Sequence, residues 1–110
     1  YPFASNPKFR LASADAYRER AQRMKQAVAE AGRDPTAVGL AYNSPYHSEQ
    51  AVMLDGQRVA MTGTGEQRAA DARAFAEAGA ETMMVNLTAN DRQQMLDRME
   101  AFAAEVMPHV

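Results

Sequence analysis

Three stretches of this chain carry groups able to do chemistry. Asn43, Tyr46 and His47 lie within five positions of one another and offer hydrogen-bonding groups to a ligand. His47 can also exchange a proton near neutral pH. Gly63-Thr64-Gly65 precedes a helical pattern. Free N–H groups and the positive dipole end at such a start can receive a phosphate. No Lys follows it, so it is not a P-loop. Asn86 closes an apolar run and can either line a pocket or cap the helix that follows. Each feature also has a plainer reading. Asn, Tyr and His in loops often bond nearby backbone, and a Gly-Thr-Gly run is more often a capped helix start. Arg10 and Arg58 can meet an anionic cofactor tail or substrate, although exposed arginines are usually just solvated.

Other chemistries are excluded. The 110 residues contain no cysteine, so there is no disulfide, no thiolate metal site and no cysteine nucleophile. No His/Asp/Glu set has metal-ligand spacing, and there is no Gly-x-Ser-x-Gly elbow. A net charge of −2 gives no electrostatic case for nucleic acid or an anionic membrane. No apolar run approaches the roughly 18 residues that a membrane span needs. A cytoplasmic protein is expected. His109 is expected to lie at a frayed terminus, and the methionines are expected to fill core.

The elements that must position these residues follow from periodicity and punctuation. Residues 1 to 12, with Pro2, Pro7, Ser5 and Asn6, have loop chemistry. Ser13 should N-cap a first helix, with Asp15 in its first turn. Tyr17, Ala21, Met24, Val28 and Ala31 form its apolar stripe, Gly32 stops it and Pro35 prevents resumption. Val38 to Tyr42 reads as a short buried strand. Asp55-Gly56 between apolar runs signals a hairpin. Thr64 and Gln67 have the spacing of a capping box for a second helix, which carries Ala69, Ala72, Phe75 and Ala76 and ends at Gly79. Thr82 to Leu87 is a second strand. Thr88 or Asn90 should cap a third helix with Met95, Met99, Phe102 and Val106 on one face, stopped by Pro108.

Strands separated by helices imply parallel pairing with right-handed crossovers. Two strands alone leave open edges, and the helices carry apolar faces that need something broader to cover. A start at Tyr1 rather than methionine points the same way. The expectation is a single partial α/β domain over residues 1–110.

Four segments in order then bring a family into view: Ala31-Gly32-Arg33-Asp34-Pro35; Asp55-Gly56 leading to Thr62-Gly63-Thr64-Gly65-Glu66-Gln67; Phe75-Ala76-Glu77-Ala78-Gly79-Ala80 running into Met83-Met84-Val85; and a last helix ending Met99-Glu100-Ala101-Phe102-Ala103-Ala104-Glu105-Val106-Met107-Pro108. Together they resemble the C-terminal end of the bacterial luciferase-like monooxygenase superfamily. The opening Tyr1-Pro2-Phe3-Ala4-Ser5-Asn6-Pro7 resembles the loop after barrel strand six in a branch dependent on the deazaflavin coenzyme F-420. One departure is Gly65, where the family usually has proline.

The resemblance implies the C-terminal portion of a TIM (β/α)₈ barrel, from helix six to helix eight, lacking strands one to six of a fold that needs about 250 residues. It implies an oxidoreductase or monooxygenase using FMN or coenzyme F-420, acting on a small molecule, with most of the cofactor grip on the missing N-terminal barrel segment. This chain alone would then be inactive. Chemistry in a barrel sits at the C-terminal strand ends, here Tyr1 to Phe3, Asn43 to His47 and Asn86 to Thr88. The rival expectation is a non-catalytic (β/α) fragment that folds by self-association into a homo-oligomer.

Overall fold

The computed structural model of the protein describes residues 13–110. Tyr1, Arg10 and the opening loop lie outside the described residues. Helix α1 spans Ala14–Glu30, strand β1 Ala41–Asn43, β2 Met53–Leu54, β3 Gln57–Arg58, helix α2 Gly65–Glu77, β4 Thr82–Met84 and helix α3 Arg92–Glu105. Short 3-10 turns occupy Pro35–Ala37 and Met107–His109.

Strands β1 and β4 pair in parallel, with Ala41 opposite Thr82, Tyr42 opposite Met83 and Asn43 opposite Met84. Helix α2 lies between them in sequence, so β1–α2–β4 is a βαβ unit. The hydrogen-bonded strands are shorter than the apolar runs suggest. At the front, the Lys25 ammonium takes the carbonyls of Pro35 and Val38 at 2.7 and 2.6 Å, tying residues 35–38 to α1. At the back, the Ser44 N–H still reaches the Met84 carbonyl at 2.9 Å. The next residue is Pro45, which has no N–H with which to continue.

The core lies on one face of this pair. Tyr42 is fully buried, with Tyr17 of α1 edge-on to it and Phe75 of α2 stacked on it at a ring separation of 3.9 Å. Ala21 and Ala60 complete the cluster, and the Tyr17 hydroxyl donates to the Ala41 carbonyl at 3.2 Å. Burial pushes the Tyr17 hydroxyl pKa up from its ordinary value. Strand side chains alternate between faces, so Ala41, Asn43, Thr82 and Met84 share the opposite face, and all four are exposed.

The stretch between β1 and α2 is ordered by local chemistry. Asp55 (φ 52°) and Gly56 (φ 78°) both take left-handed backbone, as a type I′ turn joining β2 to β3 requires. Arg58 clamps the Asp71 carboxylate of α2 with two bonds, at 2.8 and 2.7 Å. That pairing raises the Arg58 pKa and occupies the side chain, so Arg58 is not available to a cofactor tail. Asp71 also accepts the Met61 N–H at 2.8 Å. Met61 is fully buried with φ 66°, a conformation costly for a side chain of this size. The hydrogen bond from its N–H to the Asp71 carboxylate helps hold it there. Thr62, also buried, accepts from the Val52 N–H and donates to the Val59 carbonyl.

Two expectations for α3 are corrected. Its N-cap is Asp91, whose carboxylate accepts the Gln94 N–H at 2.8 Å, and neither Thr88 nor Asn90 has that role. Thr88 is already engaged, because both its N–H and its hydroxyl donate to the Asn86 side-chain oxygen. The Met95–Met99–Phe102 face is not core: α3 has no buried residue, and only Val106, just past its end, is buried.

Candidate functional site

The C-terminal ends of two parallel strands bring separate loops to one edge, and open α/β sheets bind ligands there. After β1 come Pro45, Tyr46 and His47; after β4 come Asn86 and Thr88; Arg98 reaches across from α3. These six residues line a cleft of about 270 Å³. A second cleft, of about 260 Å³, lies beside it, lined by His47, Ser48, Glu49, Gln50 and Arg98. His47 and Arg98 are common to both.

His47 is held from behind. The Arg68 guanidinium lies 3.1 Å from His47 Nε2. Arginine carries only donors, so Nε2 must accept, and the ring is neutral with its proton on Nδ1. The ring also packs edge-on to Phe102 of α3, 5.4 Å between centres. Burial lowers the His47 pKa, the Arg68 and Arg98 charges lower it further, and Glu49 partly offsets them. In its neutral form the ring has Nε2 taken by Arg68 and keeps Nδ1–H as a donor.

Arg68 is the site's main hidden residue. It is 1% exposed, yet fully engaged: Nε donates to the Gly63 carbonyl at 3.1 Å, one terminal nitrogen meets His47, and the other lies 3.4 Å from Glu105 of α3. It joins the β1–α2 loop, α2 and α3 at one point. One signal for it exists in the sequence: Arg68 stands on the same helical stripe as Ala72 and Phe75, at steps of four and three. Arg98 has no comparable signal, because its role depends on where α3 packs.

Asn86 meets the first of its two readings and not the second. Its oxygen organises the turn to Thr88, and the residue also lines the cleft; it does not cap α3. Asn43 is not among the cleft's described walls, since it stands on the exposed face of β1. Gly63 and Thr64 are not a phosphate cradle. Thr64 Oγ1 accepts the Gln67 N–H at 3.1 Å, and the Gln67 side chain accepts the Thr64 N–H at 2.9 Å, completing the capping box. The Gly63 N–H goes to the Ser48 carbonyl. Glu105 covers the first turn of α2 so closely that a Cβ on Gly65 would come within 2.9 Å of the Glu105 Cβ. Glycine at 65 therefore permits this approach.

Among the described residues, no group of three or more His, Asp or Glu could hold a metal, and no helix is long and apolar enough to cross a membrane. No family model, curated protein or solved structure matches the chain.

Proposed function

We propose that this chain is the C-terminal part of a luciferase-like (β/α)₈-barrel oxidoreductase that uses FMN or coenzyme F-420. The observation that carries the reading is the one-sided parallel pair. Parallel sheets are normally covered on both faces, whereas β1 and β4 bear their Tyr17–Tyr42–Phe75 core on one and leave Ala41, Asn43, Thr82 and Met84 bare on the other. In a barrel wall the helices stand outside, and the opposite face meets the side chains of other strands. The cleft lies at the strand ends where barrels keep their chemistry.

The residues of this chain fit a share of a flavin or deazaflavin site and not the whole of it. Complete ligand pockets enclose roughly 300–1,000 Å³, and each strand-end cleft here falls below that range. When bound, the cofactor supplies the hydride or oxygen chemistry. Arg98, Asn86 and neutral His47 would orient a polar group of the substrate or cofactor from one side. Arg68, behind His47, keeps that ring from turning. The remaining barrel would close the site and exclude water.

A second reading is favoured by α3. Two of its large apolar residues are uncovered, Leu96 at 40% and Met99 at 50% exposed. In this reading a second copy of the chain covers them, and the assembly is non-catalytic.

Titration of FMN and of coenzyme F-420 against the native protein separates the two. The oxidoreductase reading expects saturable binding of one of them, weakened at least tenfold by Arg98→Gln. An associated oligomer that binds neither would reject it in favour of self-association.

A further inference from the structure

We infer that the cleft between Tyr46, Asn86 and Arg98 binds an oxyanion, a carboxylate or phosphoryl group carried by a small-molecule ligand. The inference rests on reading the strand ends as a small-molecule site, but not on which cofactor fills that site. Its basis is the chemistry of the walls. None of the six residues lining this cleft carries a carboxylate, although the chain as a whole has more acidic than basic residues. The nearby acid, Glu49, lines the neighbouring cleft instead.

The polar groups of the cleft are turned into donors by bonds already made. The Asn86 oxygen is spent on the Thr88 N–H and hydroxyl, at 2.9 and 2.6 Å, which leaves its NH₂ as the free end. The His47 Nε2 is spent on Arg68, which leaves Nδ1–H. Arg98 gives one N–H to the Thr88 carbonyl, which holds its stem against the cleft, and keeps further donors on the same fork. A wall of donors with a guanidinium and no carboxylate among its described lining residues matches an anion with several lone pairs and repels a cation. The buried Arg68 guanidinium behind His47 has the same sign, offset in part by Glu105 at 3.4 Å.

The test titrates inorganic phosphate, then acetate, into the native protein at constant ionic strength. The readouts are the NMR signals of the His47 ring and the Asn86 side-chain amide. Saturable shifts in both are expected, with affinity lowered at least tenfold in Arg98→Gln and partly kept in Arg98→Lys. Tighter phosphate than acetate would mark a phosphoryl ligand, and the reverse a carboxylate. No saturable shift with either anion, or equal binding in Arg98→Gln, would overturn the inference. Cofactor binding without anion binding would overturn this inference alone and leave the oxidoreductase reading in place. Signals of the Tyr42 and Phe75 rings, unmoved in the variants, show that the fold is intact.

Discussion

The two faces of the β1–β4 pair are built by opposite means. On one, three aromatic rings meet within 5.6 Å of one another, from α1, β1 and α2. On the other, four side chains from the same two strands are exposed. A strand buried on both sides needs apolar residues at every position, while one buried on one side alternates. The runs Leu40-Ala41-Tyr42 and Met83-Met84-Val85 have the apolar composition of the first kind and the surroundings of the second. The difference teaches that apolar composition alone does not decide burial, and a second layer over the bare face is what the proposed barrel would add.

Substitutions on the two faces should separate accordingly. Phe75→Ala removes a fully buried ring from the stacked cluster and should cost about 3–5 kcal/mol in urea denaturation. Met84→Ala should cost about 0.5 kcal/mol or less in the chain alone, rising to about 2 kcal/mol or more where a second layer covers it. Equal costs for the two in the chain alone would break the comparison.

The covered side also depends on the Arg58–Asp71 clamp, which fastens the β2–β3 hairpin to α2. Asp71→Ala strands the Arg58 guanidinium and the Met61 amide together. A loss of about 2–3 kcal/mol is expected, since both side chains are largely shielded but not dry. Thr64→Ala removes one half of the capping box and should cost about 1 kcal/mol, read from the shift in urea midpoint.

The smallest effect is a pH dependence. The folded state holds the His47 pKa below its ordinary value of 6.5. The unfolded chain therefore takes up the proton first as pH falls. Stability from neutral His47 is complete above 6.5 and declines as pH drops from there through the lower folded pKa. Thermal melts of the protein should weaken over that window, and His47→Gln, which cannot titrate, should flatten this part of the profile. An unchanged profile in His47→Gln would place the effect elsewhere.

What the sequence made legible was local. The Thr64/Gln67 capping box, the Asp55-Gly56 turn and the Ser13 cap each depend on residues within four positions, and each forms as its spacing indicates. Where several residues compete locally, spacing does not decide. Thr88, Asn90 and Asp91 can all cap α3, and Asn86 removes Thr88 from the contest. Site residues were legible where topology alone positions them: Tyr46, His47 and Asn86 gather at the strand ends. Arg68 and Arg98 were not singled out, because their roles come from packing between α2, α3 and the loop. Gly63-Thr64 looks like an anion cradle until Glu105, 40 residues beyond Gly65, closes over the helix start.

The most direct test of the two-layer account is methionine oxidation of the native protein by dilute peroxide, read by peptide mass. In the chain by itself, Met84 on the bare face is 50% exposed and Met53 in the hairpin is 57% exposed. If further strands cover the bare face, Met84 should stay unoxidised while Met53 reacts freely. Equal rates at Met84 and Met53 would mean that nothing covers the face, and the barrel account would be wrong.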